Sequence, residues 1–195
     1  MVPIAFSGKA GVGKTTTADL IETLTRPLGL YCTTFSFAKQ LRIELAKELD
    51  VNPDLLYAKK RELKGKTVRE HLISFGNRKR QEDPAYWVKK LLNDNDFSLN
   101  ILDKKSIPII DDVRFKNEHE ALRKMNAFIV RLDPFPEWTS PCIDPNDPSE
   151  TDLDGCMDWD LIITPVYTKN SLSLFGPWLT AVKVIENYIL TRRTQ

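Results

Sequence analysis

The stretch from Gly8 to Thr15 carries the spacing Gly8-x-x-x-x-Gly13-Lys14-Thr15, a complete Walker A pattern. Each residue type in it has a chemical reason. The backbone N–H groups of Gly11, Val12 and Gly13 can wrap phosphate oxygens, because glycine allows close approach and positive φ. Lys14 is expected to reach the β and γ phosphates, and the Thr15 hydroxyl to ligate Mg²⁺. Gly8, Lys9, Ala10 and Thr16 complete the stretch expected to bind ATP. A second group of chemistry-bearing residues lies about a hundred positions on. Ile109-Ile110-Asp111-Asp112 is an apolar strand ending in acid, the pattern of a Walker B segment. Either Asp111 or Asp112 can hold the Mg²⁺ shell opposite Thr15, the other serving as a base or a turn cap. Arg114 points an always-charged fork at the same region. Arg69, Arg78 and Arg80 are candidates for further phosphate clamps, since phosphoryl transfer depends on positioning and charge neutralisation.

These residues need elements to place them. An apolar run at 2–6 precedes the phosphate loop and reads as a buried strand; residues 16–24 follow it as a helix with Leu20, Ile21 and Leu24 facing inward. Further strands are expected at 30–35, 107–110, 128–132 and 160–164. Helical periodicity covers 38–49, 67–77, 84–92, 117–125 and 178–191, and another helix is expected to start near Pro53 and Asp54. Strands alternating with helices imply an α/β fold, a mostly parallel five-stranded sheet with helices on both faces. Ligands in such sheets bind beyond the carboxyl ends of the strands, where the Walker loop, 35–42 and 111–114 all fall.

A chain of 195 residues suits one domain with a small insertion. The helical region of about 38–92 would receive the substrate, and a lid is expected at about 133–150 or in the basic stretch 55–66. Cys32, Cys142 and Cys156 match no metal or redox spacing and read as reduced cytosolic thiols. Residues 1–6 lack a basic leader and no run has the length of a membrane span, so a cytoplasmic protein without membrane contact is expected. The net charge is +1, yet charge is segregated: residues 59–80 hold nine Lys or Arg against two Glu, and 133–160 hold nine acids and no Lys or Arg. Each run reads first as a solvated face; the basic one also suits a phosphorylated substrate.

The segments "SGKAGVGKTTTADL", "FSFAKQLR", "GNRKRQEDPAYWV", "IIDDVRFKNEHEAL" and "PSETDLD" occur in that order. Over 4–163 the chain resembles phage-type deoxynucleoside monophosphate kinases. The resemblance implies a P-loop kinase fold, ATP and Mg²⁺, and transfer of the γ-phosphoryl group to a nucleotide 5′-phosphate, in the host cytoplasm if phage-encoded. It also implies that Arg80 and Arg114 lie near the phosphates, and that Ser149 and Glu150 belong to the segment near the acceptor. Lys14, Arg80, Arg114 and Asp112 are then the expected catalytic set. Lys39 stands where the family commonly has an acid, and Arg42 ends that motif; a cation there suits a phosphate. Phe35, Phe37 and Trp87 are candidates to stack on a base.

Three rival readings keep the triphosphate site. A partitioning-type ATPase carries an extra lysine where Lys9 stands, but places an acid-bearing loop after the second strand, and here no acid lies between that strand and Glu44. A GTPase switch needs an Asn-Lys-x-Asp stretch, and residues 168–171 lack the acid. The third, a kinase acting on hydroxymethylated pyrimidines within DNA, gains from the basic run and loses from the acidic one. Oligomeric state, a homodimer included, is not read from one sequence.

Overall fold

In the strand β1 (Ile4–Gly8) every residue is buried, as a strand with neighbours on both sides requires. It is the middle of a five-stranded sheet in the computed structural model, which describes residues 1–58, 61–135, 139, 144, 146–165 and 175–193. The other strands are β2 (Tyr31–Phe35), β5 (Ser106–Val113), β6 (Phe128–Leu132) and β7 (Leu161–Ile163). Their order is β2-β5-β1-β6-β7, and every pairing is parallel. This is the P-loop kinase fold: a parallel sheet whose central strand runs into the phosphate loop and then into a helix.

Two compact units make up the chain. The first comprises 1–35 and 95–195. Its main helices are α1 (Lys14–Thr25), α5 (Asn95–Leu102), α6 (Lys116–Lys124) and, after the last strand, α8 (Phe175–Arg193). Ile4, Phe6, Ile107, Ile109 and Val130 from the sheet pack with Ala18 and Ile21 of α1 and with Ala181, Val184 and Tyr188 of α8. Burying each Ile, Val or Phe side chain among them contributes about 1.5–3 kcal/mol, and the β-branched residues that dominate the strands fit the pleated surface.

The second unit, 36–94, leaves the sheet directly after β2. It holds α2 (Phe37–Leu49), the two-residue strands β3 (Glu62–Leu63) and β4 (Lys66–Thr67), α3 (Val68–Glu82) and α4 (Tyr86–Leu92). Ser36 caps α2 by accepting from the Lys39 N–H at 2.9 Å, and Thr67 and Glu70 form a capping box at the start of α3. The helix expected from Pro53 is a single 3-10 turn, Pro53–Tyr57, capped by Asn52. The β3–β4 hairpin, α5 and the short α7 (Pro148–Thr151) are additions to the expected elements. Cys142, Lys59, 168–171 and most of 136–145 lie outside the described residues. Among the described residues no helix is long and apolar enough to cross a membrane.

Candidate active site

Three glycines give the loop after β1 its shape, with φ of 147° at Gly8, 76° at Gly11 and 98° at Gly13. Gly13 caps α1 in the left-handed conformation, which leaves the first N–H groups of that helix facing the loop. Lys14 follows at once and is buried; its Nζ donates to the Gly8 carbonyl at 2.8 Å and to the Lys9 carbonyl at 2.9 Å. Burial, and next the Arg114 charge, push the Lys14 ammonium down to about 7, against the pull of Glu150, Asp112 and Asp111. A buried cation folded against its own loop, inside a ring of charged groups, is built to meet an anion.

The strand β5 explains how both acids reach this loop. Its pairing with β1 runs Ile4–Ile109 and Ala5–Ile110, then jumps to Ser7–Val113, so Asp111 and Asp112 together oppose the single residue Phe6. Such a bulge bends the strand and re-aims its side chains. Asp111 Oδ2 thereby accepts a hydrogen bond of 2.7 Å from the Thr15 hydroxyl. Asp112 is half-buried, and its charge also acts on Lys14. The pairing of Thr15 with one acid in particular is what the sequence left open. Both oxygens are hard donors of the kind Mg²⁺ takes.

Arg114 is fixed from both ends. Its backbone N–H, with that of Phe115, donates to Glu118 Oε2 at 2.9 and 3.1 Å. Its Nη1 donates to the Ser149 carbonyl at 3.1 Å and to Glu150 Oε1. The other oxygen of Glu150 accepts the Ala10 N–H of the phosphate loop at 2.9 Å. Lys9 reaches the Glu150 carbonyl and the Asp154 carboxylate, each at 2.5 Å, and Arg131 lies near Ser7 and Asp154. Several acids of the acidic run thus meet cations: Asp152 stands near Lys116, and Asp158 and Asp160 hold Arg123. It is not merely a solvated face. Glu118 and Asp154 were not among the expected site residues; Glu118 had one visible signal, its place just inside a helix after the acid-Arg strand end.

The phosphomevalonate kinase family profile matches residues 6–128, well over half of the chain. The chain belongs to the phosphomevalonate kinase family. It is a P-loop kinase, and the matched stretch contains both the Walker loop and the Asp111–Arg114 segment. Among solved structures it is similar to the APS kinase of Mycobacterium tuberculosis, as a mutant (16% identity, 96% of each chain, TM-score 0.44) and in complex with AMPPNP and APS (16% identity, 96% of this chain and 97% of that one, TM-score 0.47). No curated protein matches the chain.

The kinase's remaining expected site residues belong to the second unit. Phe37 and Trp87 are 4% and 2% exposed, and Trp87 Nε1 donates to the Gly76 carbonyl. They are core side chains whose rings are covered by neighbours, so they offer no face for a base; Phe35 is likewise buried, edge-on to Phe97. Lys39 is exposed on the first turn of α2. Arg42 lays its guanidinium 4.7 Å from the Tyr57 ring centre, and its buried Nε has no hydrogen-bond partner among the described residues. Arg69 sits on the first turn of α3, and Arg78 pairs with Glu48 at the surface. Arg80 is half-buried, its Nη1 passing over Gly76. A cleft of about 500 Å³ in this unit is lined by Gln40, Tyr86, Lys89, Lys90 and Asp94, with Lys89 held by Asp83 and Gln40 by Asp94.

Proposed function

We propose that this kinase transfers the γ-phosphoryl group of ATP to an acceptor that is itself a phosphomonoester, a (deoxy)nucleoside monophosphate, giving the diphosphate. The observation that carries the reading is the set drawn together at the loop: the buried Lys14, the 2.7 Å pair of Thr15 and Asp111, and Arg114 braced beside Ala10. A phosphate acceptor is already ionised at neutral pH, so the site needs charge neutralisation and alignment more than a proton acceptor.

In this reading Lys14 turns from the loop carbonyls to the β and γ phosphates, and the N–H groups of residues 11–16 cradle them. Thr15 and Asp111, with Asp112 beside them, would hold Mg²⁺, which would supply positive charge against the triphosphate. Among the described residues no group of three or more His, Cys, Asp or Glu stands ready for a metal. Arg114 and Arg80 take the charge developing on the transferred group. Lys39, Arg42, Arg69 and Arg78 are the cations proposed for the acceptor's phosphate, within the helical region of about 38–92 expected to bind it.

The family match favours a second acceptor of the same chemistry, phosphomevalonate. The order of motifs shared with deoxynucleoside monophosphate kinases favours the nucleotide. The deciding experiment is transfer from γ-labelled ATP with Mg²⁺ to a panel of ribo- and deoxynucleoside monophosphates, phosphomevalonate and hydroxymethyluracil-containing DNA. Lys14→Ala is the blank. Label in one or more nucleoside diphosphates is the expected result and names the base. Label only in diphosphomevalonate or only in DNA replaces the acceptor. ATP hydrolysis with no transfer to any acceptor overturns the kinase reading in favour of a partitioning-type ATPase.

A further inference from the structure

Glu150 is an unusual carboxylate. It is 8% exposed, and it lies against a loop built to receive phosphates, where a negative charge opposes the ligand. Burying such a charge is costly unless it is paired and hydrogen-bonded. Both of its oxygens are engaged: Oε2 takes the Ala10 N–H at 2.9 Å, and Oε1 takes Arg114 Nη1. The turn that carries it is itself anchored. Asp147 accepts from the Ser149 N–H at 2.8 Å, Lys9 binds the Glu150 carbonyl, and Asp152 accepts the Lys116 N–H at 2.8 Å.

On the other side of Arg114, the buried Glu118 holds its backbone. Arg114 is thus gripped by one carboxylate at the main chain and by another at one terminal nitrogen. Its Nε and Nη2 make no hydrogen bond among the described residues, and that edge is the bidentate face that fits two oxygens of a phosphoryl group. A long side chain held in this way loses its conformational entropy on folding rather than at the transition state, which is where preorganisation gains rate.

We infer that Glu150 is a positioning residue that aims Arg114 across the phosphate loop, and that it is not a ligand of the acceptor. The inference rests on the proposed role of Arg114 in phosphoryl transfer. It assigns the segment 147–154 a task in transfer: to tie β5's Arg114 and the loop's Lys9 and Ala10 into one arrangement.

The test uses the full chain as wild type, Glu150→Gln, Arg114→Ala and the double variant, with the acceptor that serves the wild type. Glu150→Gln is expected to lower kcat on the order of 50-fold, in keeping with the cost of small misplacements. Its acceptor KM should stay within about threefold. The double variant should match Arg114→Ala alone within about threefold, because Glu150 acts only through that arginine. Losses that multiply in the double variant overturn the inference. So does a tenfold rise in acceptor KM at unchanged kcat, which would make Glu150 a substrate ligand. A second readout needs no turnover: the Arg114 Nε–H order parameter by NMR, expected above about 0.8 in the wild type and below about 0.6 in Glu150→Gln. An equally rigid Arg114 in both proteins overturns the positioning role even if the kinase is fully active. Lack of transfer in the wild type refutes the functional reading while the NMR comparison still decides whether Glu150 holds Arg114. Should Glu150→Gln fail to fold, Glu150→Asp keeps the charge but is one methylene short of spanning Ala10 and Arg114, and the same outcomes apply to it.

Discussion

At Gly8 a methyl group would stand 2.4 Å from the Leu132 carbonyl oxygen, a backbone atom that cannot swing aside, and φ there is 147°. Gly8→Ala is therefore expected to cost on the order of 3 kcal/mol, read as a lower urea midpoint with an unchanged slope. The two acids of β5 differ in what they touch, and their variants should differ accordingly. Asp111→Asn removes the carboxylate paired with Thr15. It should lower transfer by roughly 100-fold and move the Mg²⁺ midpoint upward, whereas Asp112→Asn should leave that midpoint within about threefold. A Mg²⁺ titration of the two variants checks this, and equal shifts would mean that both acids serve the metal. Much of this was legible from residues: a Walker pattern implies its own geometry because the glycines, the lysine and the hydroxyl act within one loop. The contacts of Glu150 were not, though the resemblance put it near the acceptor, since its bonds cross to Ala10 and Arg114, far away in the chain. Phe37 and Trp87 were open to two readings, core or base stacking, because an aromatic on a helix has the same spacing whether its ring is covered by the core or open to a base; both rings are buried.

Elements long enough to repeat a pattern were visible; the rest were not. The buried strands announce themselves as β-branched runs, and their alternation with helices leaves a parallel sheet as the economical arrangement. The β3–β4 strands have two residues each, too few for any period, and their sign is only the Lys64-Gly65 turn, with φ of 49° and 80°. At Pro53 the proline marks a helical start, yet nothing local says that it ends after one turn. Between α2 and α4, Glu44 joins two helices: Lys90 Nζ lies 2.6 Å from Oε1, and the Tyr86 hydroxyl donates to Oε2 at 2.5 Å. Burial works against the Glu44 charge, but the hydrogen bonds from Lys90 and Tyr86 outweigh it and hold the carboxyl below its ordinary 4.5. A carboxylate depressed on folding adds stability above its unfolded value and loses it as pH falls through the folded one. Glu44→Gln should thus cost about 1 kcal/mol at pH 7, a modest amount because the site is partly solvated, and almost nothing by about pH 3. Chemical unfolding of both proteins at the two pH values measures the difference. A cost that does not change with pH would mean that packing, not the ion pair, joins the helices.

At the scale of the whole chain, the net charge of +1 hides two opposed runs, and what the fold does with them bears on the acceptor. The segregation was legible in the sequence. The pairing was not, because which acid meets which base is decided by tertiary contacts. In the first unit the acids Glu150, Asp154, Asp158 and Asp160 are matched to Arg114, Lys9, Arg131 and Arg123. In the second, the basic run is partly answered from within: Arg78 by Glu48, Lys79 by Glu82, and Lys64 by the Leu49 carbonyl. Affinity for a nucleic-acid backbone comes from cations that neutralise phosphates and release counterions, and a cation already held by a carboxylate gives up that pairing to do so. A phosphomonoester asks for only a few of them. The expected outcome with a labelled hydroxymethyluracil duplex of about 20 base pairs is a Kd weaker than about 10 µM at 0.15 M salt. The slope of log K against log salt should be shallower than about −3, as measured by fluorescence anisotropy. Submicromolar binding with a slope of −6 or steeper would show that the basic run follows a backbone after all, and would move the acceptor from a free phosphomonoester to DNA.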